Sequence, residues 1–343
     1  MTKRVFTTEE ILADHNYAER QVEAGFPLHG GFDDAGTYIP PRTLNRWPAI
    51  HAWDAGLAER GIAMLDTSAD LLERENYPNA DQAAFLISRG DGQTLWNQLT
   101  HTGIVEARGG ILRDITAPDF QKIIVEDITD WATGHLNKGL LRAHGMDEAG
   151  DPGSGMGGHD DMWFAVRDML FGKGAYPLTE PVDSVSKPDQ GYQMPQVAPE
   201  YEGIMRALMD VLLIEVRAEA FFSYCERIMR NPTLFTDRRD VADHAATLVN
   251  RIRTDEAVHV GYLRSVISEL RSATFKCLDG SQAKGATFID PVWEDLKIWH
   301  GRTVFDLRRD ETRTAIHDRL IADGGTAETI TQFDSLETNK QAA

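Results

Sequence analysis

Two cysteines, Cys225 and Cys277, are all the chain contains, which excludes a disulfide framework and any cysteine-based zinc or iron–sulfur motif. Cys225 falls on an apolar helical seam and reads as a core thiol. No apolar run reaches membrane length, and the opening residues MTKRVFTTEEILADHN hold no apolar stretch of the signal-peptide kind. A cytoplasmic protein is therefore expected. Basic residues are in deficit, 35 Lys and Arg against 54 Asp and Glu for a formal charge of -19, which argues against nucleic acid or an anionic membrane as partner. What remains is a globular composition: 343 residues, 42% hydrophobic and 26% charged, can bury one large core or two modest ones.

The stretch that organises the chain is 240–271. Read at a helical period, its seam runs Ala245, Leu248, Ile252, then Glu256 and His259, then Leu263, Val266 and Leu270. Two ionisable side chains stand where leucine is wanted, and facing a core they cost several kcal/mol, roughly, unless paired or bound to a metal. Glu-x-x-His aims both groups from one turn at one point, as carboxylate-bridged metal sites in helix bundles require. By average usage one such motif arises by chance in a chain of about this length, so a buried Glu–His hydrogen bond is the competing reading. The preceding helix, 201–230, has the seam Ile204, Leu208, Val211, Glu215, Ala218, Phe222, Cys225, Met229. Glu215 again takes a leucine's place, and Glu219 follows roughly 40° round the helix. Counted from the turn at Asn231-Pro232, Glu215 lies about as far back as Glu256 lies forward. An antiparallel pair of helices would bring the two level.

The first half is less regular. A short helix is expected over 7–24 from the capping-box pattern at Thr7 to Glu10, a loop over 25–41, and a helix over 46–76. His15, His29 and His51 lack acidic partners at ligand spacing and read as packing or solvated residues. Residues 79–108 read as helix, bent at 90–92 and stopped by Gly109-Gly110, with Glu106 on an inner seam or else at an exposed helix end beside Arg108. A long helix is expected over 119–144, on which Asp127 and His135 compete for the inner position. No second Glu-x-x-His occurs. The Gly-rich run 145–158 reads as loop delivering His159, which continues the stripe Met162, Val166, Met169; Asp160 or Asp161 is a plausible N-cap there. Five prolines between 172 and 199 mark a long irregular connection.

The pair LLIEVRAEAFFSY and RTDEAVHVGYLRSV resembles the second half of the ferritin-like di-iron carboxylate oxygenases and oxidases, in which one helix gives a Glu and the next gives Glu-x-x-His. The resemblance covers roughly 201–271. It implies Glu215 as the single, bridging carboxylate and Glu256 with His259 as the second pair, with Glu219, Glu106, Asp127 and His159 as further candidate ligands. It implies an all-α fold: a ferritin-like four-helix bundle core over 79–272, with a loop insertion at 145–200, a helical extension at 1–78, further helices at 273–322 and a flexible tail at 323–343. Carboxylate and imidazole ligands suit iron, two ions on this pattern, or manganese. The function implied is dioxygen-dependent oxidation of a small organic substrate, drawing on an electron donor, by a homodimer. Two other readings stay open: an iron-binding or radical-storing protein of the same fold, and a metal-free helical scaffold with a buried polar network. Tyr262, one turn past His259, reads as a redox-active ring or a packing one.

Overall fold

In the computed structural model, which describes residues 3–179, 184–188 and 190–337, the chain is mostly helical. It opens on a single turn, α1 (Thr8–Ile11), closed by reciprocal capping between Thr7 and Glu10. The helix expected over 7–24 goes no further. The chain instead forms a three-stranded antiparallel sheet, β1 (Glu19–Glu23), β2 (Phe26–Phe32) and β3 (Tyr38–Ile39), with β2 central. At Gly30 and Gly31 the rings of Tyr38 and Tyr17 lie directly on the strand, where a Cβ would come within 2.5 Å of either side chain.

The next helix, α2 (Arg46–Glu59), ends before Gly61 and does not run to 76. Then α3 (Ala80–Ser88) and α4 (Gln93–Gly109) flank the bend expected at 90–92. No α-helix forms over 119–135. There Asp119 and Asp127 accept the N–H groups of Gln121 and Thr129, and the Gln121 amide spans the Glu126 carbonyl and the Ile128 N–H. Side chains take the backbone groups a helix would use. Helix resumes through a π-type turn at 136–140 into α5 (Leu141–Ala149), which runs from the end of the expected helix five residues into the stretch expected to be loop.

Three helices follow: α6 (His159–Phe171), α7 (Pro199–Met229) and α8 (Arg239–Ser272). Pro199 starts α7 at a position where its missing N–H costs nothing. A hairpin, β4 (Thr274–Lys276) and β5 (Gln282–Lys284), leads to α9 (Ala286–Ile298), α10 (Val304–Asp306) and α11 (Arg309–Ala322). The expected flexible tail is in part α12 (Ala327–Ser335), capped by Thr326 and held by Phe333, which is buried with Leu86, Ile316 and Leu320; residues 338–343 lie outside those described. No helix among the described residues is long and apolar enough to cross a membrane.

Helices α4 and α6 run antiparallel, with Gly92 beside Phe171, Thr100 beside Arg167 and Glu106 beside Trp163. Helices α7 and α8 pair along their length, and α6 packs on α8. Two apolar clusters fill the interior. One takes the first half of α7, from Tyr201 to Leu213, and the second half of α8, from Val258 to Leu270. The other takes the far half of α7, from Phe222 to Met229, and the near half of α8, from Ala242 to Ile252, with α4 and α6. The polar seam positions fall in the layer between them.

Glu269, near the end of α8, is buried yet ionisable. It accepts the N–H groups of Ala132 and Thr133 and the Thr133 hydroxyl, at 3.0, 2.9 and 2.8 Å. Burial outweighs those contacts and raises its carboxyl from 4.5 to about 7. Between these values the folded chain binds the proton more tightly than the unfolded one, so this group's contribution to stability falls as pH rises from 4.5 to about 7. Relative to Glu269→Gln, the wild type is expected to lose on the order of 2–3 kcal/mol over that window, measured by denaturant unfolding at matched pH values. Parallel pH profiles for the two proteins would show that the carboxylate is fully stabilised by its donors.

Candidate metal centre

Seven donor side chains from five helices converge in the polar layer. Glu106 comes from α4, His144 and Glu148 from α5, His159 from α6, Glu215 from α7, and Glu256 and His259 from α8. They form two sets, each with its ligand atoms within 4.8 Å of one another: His144, Glu148, Glu215 and His259, and Glu106, Glu148, His159 and Glu256. Glu148 belongs to both.

On the first side, His144 Nε2 stands 3.2 Å from Glu148 Oε1 and 3.2 Å from Glu215 Oε1. His259 Nδ1 stands 3.2 Å from the same Glu148 oxygen and 3.7 Å from Glu215 Oε1. Glu256 reaches both sides. Its Oε2 lies 2.5 Å from His259 Nδ1 and its Oε1 lies 2.8 Å from His159 Nδ1. Two carboxylates, Glu148 and Glu256, thus stand between the sets, and Glu215 lies on one side only. Glu106 is half-buried and accepts the Trp163 indole N–H at 3.2 Å.

Each histidine turns one ring nitrogen inward and secures the other outside. His259 Nε2 bonds Asp147 Oδ2 at 3.0 Å, His159 Nε2 bonds Asp255 Oδ2 at 3.3 Å, and His144 Nδ1 bonds the Tyr262 hydroxyl at 2.8 Å. This is the arrangement that fixes the tautomer of a metal-binding imidazole and makes it more basic. Asp147 is in turn paired with two buried guanidiniums, Arg42 and Arg46, the latter at 2.8 Å. Asp255 Oδ2 also accepts from His29 Nε2 at 3.2 Å and from the Tyr38 hydroxyl at 2.9 Å. With three donors on one oxygen, His29, His159 and Asp255 read as a hydrogen-bond node.

The donors fit a pair of cations. Glu148 Oε1, Glu256 Oε1 and His159 Nδ1 are buried and make no well-formed hydrogen bond; they meet one another and the ring nitrogens of the layer, Glu256 Oε1 at 2.8 Å from His159 Nδ1 and Glu148 Oε1 at 3.2 Å from His144 Nε2 and His259 Nδ1, and groups so placed cost free energy unless protons or a metal satisfy them. Six carboxylates occupy the layer and its rim, Glu106, Asp147, Glu148, Glu215, Asp255 and Glu256, against the two guanidiniums of Arg42 and Arg46. The four negative charges left over equal the charge of two divalent ions. Protonation tracks the same imbalance. Burial, with Glu148 beside it, holds the Glu106 carboxyl well above its usual range, and burial with Glu215 raises that of Glu256. Burial alone would lower the imidazoles of His159 and His259, but Glu256 and the other carboxylates pull both well up. The cluster retains protons that metal binding would exchange.

No family model, curated protein or solved structure matches the chain. The centre therefore stands on its geometry.

Of the residues singled out in the sequence, Glu106, His159, Glu215, Glu256 and His259 are brought together here. Glu219 is not: four residues past Glu215 it has rotated to the surface, where Arg253 binds it at 3.1 Å. Asp127 is not either, since it caps an exposed turn at Thr129 and stands on no helix. His135 is buried beside Phe6 and Trp53, donating to the Trp131 carbonyl and accepting the Phe6 N–H, so both nitrogens are used. His29, read as a packing or solvated residue, instead supports Asp255. His159 opens α6 directly after Gly158, so neither Asp160 nor Asp161 is the N-cap. The sequence reading missed His144 and Glu148. Their trace was present as His-x-x-x-Glu, an i, i+4 pair that shares a helix face as Glu-x-x-His does, but it lies across the point where the expected helix ended and the Gly-rich loop began.

Proposed function

We propose that the chain is a non-haem, carboxylate-bridged di-iron oxidase or oxygenase of ferritin-like architecture, with manganese as the alternative metal, acting on a small organic substrate. The observation that carries this reading is the pair of donor sets sharing Glu148, with Glu256 facing both and a charge deficit matching two divalent ions. The antiparallel pairs α4–α6 and α7–α8 support the ferritin-like part, each of the four helices contributing a donor. Here α5 and α6 together supply what a second Glu-x-x-His would. Mixed carboxylate and imidazole ligation suits iron or manganese, and ferrous iron held by these residues would supply electrons to dioxygen.

The protein's own part follows from its side chains. Asp147, Asp255 and Tyr262 orient the three imidazoles. The apolar clusters above and below exclude water from the layer, which strengthens every charge interaction inside it. Glu106 is the half-exposed donor, bonded by the Trp163 indole, whose ring packs beside Phe221. An organic substrate would approach there, its orientation set by aromatic surface; an external donor would supply the electrons that an oxygenase reaction consumes.

Metal analysis of protein reconstituted anaerobically with ferrous iron tests the reading, alongside Glu256→Ala and His259→Ala. About two irons per chain are expected in the wild type and a large loss in both variants. Substrate-dependent oxygen uptake then separates an oxidase from an iron-handling protein. Failure of the wild type to bind metal specifically would leave a metal-free scaffold, in which imidazolium–carboxylate pairs of His159 and His259 with Glu148 and Glu256 hold the layer together.

A further inference from the structure

Residues 26–46 supply none of the seven donors, yet they hold two of the three histidines from behind. Tyr38 and His29 converge on Asp255, which orients His159; Arg42 and Arg46 converge on Asp147, which orients His259. The same segment is tied to the loop between Glu148 and His159 by backbone bonds, His29 N–H to the Gly157 carbonyl at 3.0 Å and Gly157 N–H to the Pro27 carbonyl at 2.7 Å. It is also internally braced. The Arg46 guanidinium donates to the Arg42 and Pro41 carbonyls, each at 2.7 Å, and Arg42 is held at φ 53°, a left-handed conformation that a non-glycine residue keeps only where its surroundings impose it.

We infer that residues 26–46 form a clamp whose docking sets the metal affinity of the centre, and that loading the metal in turn holds the clamp closed. This rests on the di-metal reading above. Ligand geometry is what the clamp contributes: with it docked, the inward nitrogens of His159 and His259 are fixed toward the layer, and without it both aspartates lose the groups that position them. Support of this kind changes metal affinity by roughly 10–100-fold. Linkage makes the effect reciprocal, so bound metal favours the docked segment by the same factor.

Manganese(II), which needs no anaerobic handling during titration, is the probe. Affinity is measured for the wild type, Tyr38→Phe and Arg42→Ala, and amide hydrogen exchange is followed over 26–46 with and without the metal, residues 327–335 serving as a remote reference. The expected result is binding weaker by about 10-fold or more in both variants, with metal slowing exchange over 26–32 by at least a similar factor and leaving 327–335 unchanged. Tyr38→Phe removes one hydroxyl from a packed ring, so it tests the clamp even where Arg42→Ala unfolds. Wild-type protein that binds two manganese ions with no change in exchange over 26–32, and variants that bind as tightly, would overturn the clamp and leave the di-metal reading intact. Wild-type protein that binds no manganese and no iron would overturn both.

Discussion

Replacing Glu148 by alanine is expected to empty both halves of the centre at once, whereas Glu215→Ala should spare the half built on Glu106 and His159. Glu148 is the one residue common to both donor sets, its Oε1 lying 3.2 Å from His144 Nε2 and from His259 Nδ1 and 3.7 Å from His159 Nδ1. On the di-metal reading, loss of that oxygen would remove a ligand from each position and the negative charge that would offset the repulsion between two cations. Binding to the folded state alone stabilises it by about 4 kcal/mol per site when free metal exceeds Kd a thousandfold. Two sites should then raise the wild-type Tm by on the order of 10 °C, and Glu148→Ala should show almost none of that rise. The check is a thermal melt with and without ferrous iron, paired with metal analysis. A variant that kept two ions per chain and the full shift would take Glu148 out of the shared position.

The second large effect is steric. Gly158 sits between the end of α5 and the start of α6, with backbone on three sides: a Cβ there would lie 2.4 Å from Gly150 N, 2.5 Å from the Asp147 carbonyl oxygen and 2.7 Å from that of Glu148. None of these is the end of a side chain that could swing aside. Gly158→Ala must therefore push α5 and α6 apart, and these helices carry His144, Glu148 and His159. A cost of about 3 kcal/mol, at the upper end of ordinary overpacking penalties, is expected in denaturant unfolding of the metal-free protein, with weakened binding at both metal positions. By contrast, Gly203 lies exposed within α7 with nothing near enough to obstruct a Cβ, and Gly203→Ala should raise stability by about 0.5–1 kcal/mol through helix propensity and leave metal binding unchanged. Equal stability of the two variants would mean that the close approach of α5 and α6 is not required.

These two residues also mark where reading the chain one helix at a time fails. Helices α7 and α8 were legible because each is long enough to repeat its apolar period many times, so a Glu or His on the seam stands out as an exception; their spans, and the facing positions of Glu215, Glu256 and His259, follow from that period and a short turn. Glu106 was legible only as one of two readings and His159 only as the extension of a short stripe, because α4 and α6 repeat their period fewer times. Asp127 was misplaced because Asp119, Gln121 and Asp127 bond backbone groups locally, an option that helical periodicity does not record. The tail misled through its polar composition, since the capped helix buries Phe333 and is otherwise held by polar contacts from Asn79, Gln82, Arg313 and His317.

By itself, then, the sequence determined the two long helices and the inward direction of Glu215, Glu256 and His259, both properties of periodicity. Tertiary structure alone decided that α5 forms across a Gly-rich stretch and delivers His144 and Glu148. It alone decided that the N-terminal segment makes a sheet bearing on Asp255 and an arginine pair bearing on Asp147. Those contacts join residues more than 100 positions apart, and no local pattern in a chain specifies which distant aspartate an arginine will meet. Packing settles that, because a buried carboxylate must find its partners wherever the fold brings them.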